Sequence, residues 1–342
     1  MSRVLRVEQI GPGTSVQDLG RRGFHAFGLS QGGAVDRRAM AEGAALLAQS
    51  EALPAVEMAM AGGVFRAGAD MRIALTGGEM AATLDGVTLA WNACHAVPAG
   101  AQLRLGPVRR GQYGYLHCGG GIAAAPLLGS ASAHLAAGLG RLVAPGDDLV
   151  LGDDPAANRA GTCLRPDDRL DGGTVRIVAG PQTALFSPEA RARFEATVFR
   201  RDTAGNRMGV RLIPDGEGFQ SASGLSILSE IVVPGDIQIT GDGTPYVLLA
   251  ECQTTGGYPR IGTCLPCDRP RVAQAAPGTS LRFRFVTMAE ADEAERRDRA
   301  ERAALRRAVM PLLRDPATIT DLLSYQLISG AITGDEGDGG RD

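Results

Sequence analysis

Along most of this chain, hydrophobic and polar positions alternate with period two in short runs, the pattern of half-buried strands. Residues 2–10 form the first such run. Between Val56 and Leu151 the runs follow one another closely, as in Val64-Phe65-Arg66, Arg72-Ile73-Ala74-Leu75, Ala82-Thr83-Leu84 and Gln102-Leu103-Arg104-Leu105. Glycines separate them, and Asp85-Gly86 is a hairpin signal. Three stretches break the rhythm with helical spacing. One is capped by Asp36 and runs through Ala39, Met40, Ala44, Leu46 and Leu47. A second covers Ser187 to Glu195, with Ser187 as N-cap and Pro188 at its first position. The third covers residues 288–313, acidic at its front and arginine-rich at its rear, which suits the helix dipole.

The phrase Ala144-Pro145-Gly146-Asp147-Asp148-Leu149-Val150-Leu151 returns as Ala276-Pro277-Gly278-Thr279-Ser280-Leu281-Arg282-Phe283, so each copy closes about half of the chain. Between them, residues 153–173 carry five aspartates with prolines and glycines and read as a linker. The expected division is a β domain at 1–170, a second at 171–288, a helical extension at 289–333 and a disordered tail at 334–342. The fold class is all-β with a few helices.

Composition narrows the chemistry. The 342 residues are 44% hydrophobic but only 4% aromatic, which predicts a core mostly of Ala, Val, Leu and Ile. A net charge of -3 carries no basic footprint for nucleic acid. No lysine occurs anywhere, so the basic residues are all arginine. That removes a Walker A lysine, a Schiff-base lysine and a biotin-carrying lysine. The six cysteines are scattered, the start has no apolar leader, and no run is long enough to span a membrane; a cytoplasmic chain with reduced thiols is expected.

The densest polar stretch follows the apolar run Tyr246 to Ala250. Glu251, Gln253, Thr254 and Thr255 lead into Gly256-Gly257 and Tyr258-Pro259. This is either a plain hairpin turn or a backbone that closely approaches something. Cys264-x-x-Cys267 lacks a second pair for structural zinc. Gly28-Leu29-Ser30-Gln31-Gly32 matches G-x-S-x-G, but the strand–helix rhythm of a hydrolase sheet is missing. Gly119-Gly120-Gly121 lacks dinucleotide spacing, and His134 reads as structural. No metal is expected. Chemistry falls to amides, hydroxyls and arginines: Gln17, Asp18, Arg207, Gln253, Thr254 and Thr255. A glutamine amide matches the donor–acceptor edge of a lactam or urea, and arginine pairs with a carboxylate.

The phrases TSVQDLGRRGFHAFGL, GGAVDRRAM, NRMGVRL and IVVPGDIQITGDGTPYVLLAECQTTGGYPRIG carry a family resemblance, in order across about residues 4–287. The chain resembles the allophanate hydrolase subunit 2 family, also described as biotin-dependent carboxyltransferase or Kip-A-like. The resemblance implies two tandem cyclophilin-like β-barrels and a cleft lined by the VQD, RMG and QTTGGYP phrases. Among the residues of those phrases, Asp18, Arg207 and Gln253 are the expected catalytic residues, with Asp18 as the expected acid or base, and the resemblance makes the rest of the cleft a binding surface. It assigns substrate binding to Gln17, Met208, Thr254, Thr255, Gly256, Gly257, Tyr258 and Pro259. The implied function is the C subunit of an ATP-dependent 5-oxoprolinase, with ATP held by a partner and subunits A and B as partners, B most directly. The alternatives are a carboxyltransferase served by carboxybiotin on a separate carrier, and a non-catalytic regulatory binding protein. Gly32 stands where the family has serine, Ala131 and Ala133 where it has arginine and threonine, and Asn206 where aspartate is common.

Overall fold

The computed structural model describes residues 3–221 and 227–313 and folds the alternating runs into two β units. The expected tail at 334–342, and the extension beyond 313, lie outside the described residues. The first unit is an eleven-stranded sheet. Its spine is the antiparallel pair Met71–Leu84 and Gln102–Cys118, in register from Ile73↔Cys118 to Leu84↔Leu103 with shifts between Gly77 and Ala82. Gly77 sits at φ +72, and a Cβ there would lie 2.6 Å from the Tyr113 carbonyl oxygen, so the bend needs glycine. Ile73, Leu75, Leu103, Leu105 and Leu116 point inward with Val7 and Phe65 to form the core. Asp85 and Gly86 both take positive φ and join Leu84 to its partner Val87, as the Asp-Gly signal predicts.

The second unit is a closed seven-stranded barrel. Around it run Gly173–Val178, Arg260–Cys264, Asp236–Ile239, Pro245–Leu248, Gly209–Pro214, Phe199–Gly205 and Ser280–Phe285. Its interior departs from the aliphatic expectation. Phe194, Phe199, Phe219 and Phe283 cluster with ring centroids 4.8–5.8 Å apart, so the few aromatics are concentrated in one core. Phe194 comes from the helix Pro188–Ala196, whose first turn is capped by Ser187 accepting from the Ala190 amide.

The repeated phrases close the two units differently. Asp148–Val150 lies antiparallel to Val4–Ile10, whereas Ser280–Phe285 lies parallel to Gly173–Val178. Ala34, Val35, Met40, Tyr113 and Tyr115 of the first unit share one buried cluster with Ile177, Val210 and Ile237 of the second.

Residues 153–173 are not a loose linker. Thr162–Cys163 is a strand paired with Ala93–Val97. Asp154 pairs with Arg72 at 2.6 Å, both side chains buried, and Arg169 is buried against Asp36 and Glu42. The composition suggests solvation, yet these charges have fixed counter-charges that make burial tolerable.

The third helix spans Met288–Ala308, opened by a Thr287–Glu290 capping box. It stops short of the expected residue 313 because Pro311 disfavours helical geometry just before it, and Met310–Pro311 pairs instead with Thr162–Cys163. Leu305 docks among Ala41, Leu46 and Leu47 of the first unit. No helix among the described residues is long and apolar enough to cross a membrane.

Candidate active site

Alternation along the barrel strands decides which side chains form the site. Ile237 and Ile239 enter the barrel core, so Gln238 between them faces outward. Likewise Val247 points in, and Tyr246 and Leu248 point out. Over this outer face, Gln253 and Tyr258 of the following loop come across as a wall. The space left is a cavity of about 420 Å³ lined by Asn206, Met208, Gln238, Thr240, Tyr246, Leu248, Gln253 and Tyr258.

Two amides meet in that wall. Gln253 Nε2 donates to Gln238 Oε1 at 3.3 Å. Gln238 Nε2 is buried and has no hydrogen-bond partner. An orphan amide donor beside a cavity is a binding group waiting for an acceptor. Thr255–Gly256 is a short strand paired with Glu230–Ile231. Neither Gly256 nor Gly257 has positive φ. Glycine is needed at 256 for space instead: a Cβ there would lie 2.4 Å from Gln238 Nε2. The close approach read from the Gly-Gly pair is therefore an approach to Gln238.

Met208, Gln253 and Tyr258 thus share one cavity, whereas Thr254, Thr255, Gly256, Gly257 and Pro259 belong to the same loop but do not line it. The backbone oxygens of Thr254, Gly257 and Pro259 accept from Val232, Ile227 and Ile239 and anchor the loop to the barrel.

Arg207 is turned the other way from its neighbours Asn206 and Met208. Its Nε donates to Glu251 Oε1 at 2.6 Å, its Nη1 to Glu57 Oε1, and its Nη2 to the Gly33 carbonyl at 2.7 Å. Burial alone would lower its pKa; the Glu57 and Glu251 carboxylates outweigh that and hold it above the ordinary arginine value. Glu57 Oε2 accepts in turn from Tyr115 Oη at 2.6 Å and the Val35 amide at 3.0 Å. Tyr115 Oη accepts from the Asp36 amide, and the Asp36 carboxylate is held by Arg169 and Gln274. The result is a continuous buried polar seam between the units, and its arginine faces the two carboxylates and does not line the cavity.

Gln17 and Asp18 do not reach the cavity. Gln17 is fully buried and donates to Ser15 Oγ at 2.8 Å and the Ala133 carbonyl at 3.1 Å. Asp18 Oδ1 accepts from Ser130 Oγ, Ser132 Oγ and the Gly20 amide, and its Oδ2 from the Ala131 amide, at 2.5–2.8 Å. Desolvation would raise its pKa, but these donors outweigh it and hold the carboxyl below its usual value. A carboxylate saturated in this way clamps a loop; it is poorly placed to exchange a proton with a substrate. Asp18→Asn should cost about 2–3 kcal/mol at pH 7, because one amide NH2 then faces donors. Because the folded-state pKa is depressed, that stabilisation is present above about 3.8 and is lost as pH falls through the lower folded value. Urea midpoints of wild type and variant should therefore converge as pH falls from 4 toward 2.

Ser30 Oγ and His134 Nε2 are 2.9 Å apart, both buried and outside the cavity lining. The G-x-S-x-G serine thus meets a histidine but no open site. Cys264 and Cys267 are free thiols whose pKa values burial pushes up, and no metal-holding set of His, Cys, Asp or Glu occurs among the described residues. Gln238 and Glu57 were missed from the sequence. The signal for Gln238 was its place as the lone amide in Ile237-Gln238-Ile239.

The fold and the family agree on a class. The model of the carboxyltransferase domain, subdomain A and B, matches residues 27–285, and the chain belongs to that family. Among its relatives are the 5-oxoprolinase C subunit of Escherichia coli, 31% identical over 84% of this chain and 93% of the relative, and that of Haemophilus influenzae, 30% identical over 86% and 95%. Urea amidolyase of Saccharomyces cerevisiae is 26% identical over 80% of this chain, but only 16% of its own length is covered. The solved urea amidolyase of K. lactis shares the fold, with a TM-score of 0.79 over 92% of this chain and 21% of its own, at 24% identity.

Proposed function

We propose that this chain is the C subunit of an ATP-dependent 5-oxoprolinase and that the barrel cavity receives the lactam edge of 5-oxoproline. The observation carrying this reading is the Gln238–Gln253 pair at the cavity wall, with one buried amide donor left unpartnered. A lactam presents a carbonyl acceptor and an N–H donor side by side, and carboxamides complement both. Near-complete coverage of two relatives named as the C subunit of 5-oxoprolinase supports it. ATP belongs to a partner in this reading, since the chain has no lysine for a P-loop. The cavity is larger than a five-membered lactam, so the reading assigns subunits A and B, B most directly, to complete its open side. Exposed Met208, Leu228, Ile231 and Tyr258 around the loop suit such a contact.

The family match favours a second reading: transfer of a carboxyl group from carboxybiotin on a separate carrier to a urea-like substrate. The carrier must be another chain, because this one has no lysine to biotinylate. Reconstitution separates the two. The chain mixed with subunits A and B should release glutamate from 5-oxoproline only when ATP is present. A complete complex with no turnover overturns the first reading. Carboxylation of urea with a biotin carboxylase and carrier would establish the second, and silence in both assays would leave the regulatory role.

A further inference from the structure

A second cavity, of about 150 Å³, lies away from the barrel face. Arg22 and Arg37 of the first unit, Arg269 of the second, and Glu295, Asp298 and Arg302 of the C-terminal helix line it. With Arg38 and Glu51 also in its wall, five arginines face three carboxylates. Those carboxylates are already engaged. Asp298 accepts from Arg302 at 2.8 Å, Glu295 accepts from the Cys267 amide at 2.8 Å, and Glu51 lies 4.0 Å from Arg302. Arg38 is paired with Asp167 at 2.7 Å.

Arg37 and Arg269 are different. Among the described residues neither has a carboxylate within ion-pair reach. Arg37 makes one long bond, Nη2 to the Leu19 carbonyl at 3.5 Å, and Arg269 one, Nη1 to the Pro234 carbonyl at 3.3 Å. Both also line a narrow cleft of about 40 Å³ between the units, beside Gln31, Val35 and Leu249. Two half-buried guanidiniums from opposite units therefore line the same cavity with most of their donors unbonded to protein. Like charges held together in partly closed space are costly unless an anion joins them. Burial, followed by the neighbouring charges of Arg269, Arg22 and Arg302, pushes the Arg37 pKa down to about 10, in keeping with an uncompensated cation.

We propose that Arg37 and Arg269 form a binding site for a small oxyanion, a phosphate or carboxylate group, gripped from both units at once. The planar fork of each guanidinium can bind two oxygens of such a group, and the cavity has room for one. Because the ligand would touch both units and lie beside the C-terminal helix, occupancy should stiffen their junction. The site is independent of the 5-oxoprolinase reading and does not use the glutamine pair.

The test is thermal unfolding of the full chain in inorganic phosphate, in acetate and in chloride at matched ionic strength. Phosphate or acetate should raise the Tm in a saturable way, and chloride should not. A response to phosphate alone assigns a phosphoryl group, and a response to acetate alone assigns a carboxylate. The double variant Arg37→Gln/Arg269→Gln should unfold no lower than wild type without anion, since it removes like-charge repulsion. Its apparent affinity for the active anion should fall roughly tenfold or more. The proposal is overturned if neither anion acts beyond chloride, or if the double variant responds as wild type does.

Discussion

Arg207→Met should lower the unfolding free energy by about 3–5 kcal/mol, the range for breaking a buried ion pair from one side. The guanidinium lies between Glu57 of the first unit and Glu251 of the second, and it also holds the Gly33 carbonyl. Removing it leaves two buried carboxylates with no counter-charge and one carbonyl without its donor. Glu57 keeps Tyr115 and the Val35 amide, so Glu251 is the more exposed to loss. Combining Arg207→Met with Glu57→Gln and Glu251→Gln should recover part of the loss, because no unpaired charge then remains buried. Guanidinium-chloride midpoints measure both effects. A single variant that unfolds at the wild-type midpoint would show that the seam does not hold the units together. This revises the catalytic role that the sequence suggested for Arg207.

The second large effect belongs to the glutamine pair. In the reconstituted complex, Gln238→Ala and Gln253→Ala should each lower kcat/KM by about 10–100-fold, the cost of leaving a desolvated amide edge of the substrate unpaired. Gln253 is exposed, so its variant should keep wild-type stability and separate binding from folding. Gly256→Ala should reproduce the kinetic defect from the backbone side, because its Cβ displaces the Gln238 amide. Wild-type kinetics in all three variants would place the lactam elsewhere.

Much of the fold was legible in the residues alone. Period-two runs marked the strands, Asp36 and Ser187 stand at helix starts, and Asp85-Gly86 makes its hairpin. Local chemistry accounts for all of these, since a cap or turn is settled within a few residues. The site was legible in part. The stretch Glu251 to Pro259 was conspicuous because polar side chains follow an apolar strand; its Gln253 and Tyr258 line a cavity, while its Glu251 pairs with Arg207. Its partner Gln238 was not conspicuous, because one amide among isoleucines looks like noise until strand alternation is mapped onto the barrel.

The residues that misled are those whose role depends on distant partners. Asp18 looked like an acid or base until Ser130 and Ser132, more than a hundred positions away, closed around it. Arg207 looked like a substrate clamp until Glu57, 150 positions away, took its donors. The segment 153–173 looked like a solvated linker until Arg72, Asp36 and Glu42 neutralised it.

The sequence by itself determined the strand-rich character, the helix starts, the absence of lysine chemistry and the polar loop that carries Gln253 and Tyr258, because each is written in neighbouring residues. Only the tertiary structure decided which charges are spent and which are free. Arg207 and Asp18 are spent on holding the protein together, while Gln238, Arg37 and Arg269 keep unused donors. The physical reason is that a charged or amide group is defined by what surrounds it once water is removed, and those surroundings come from both units.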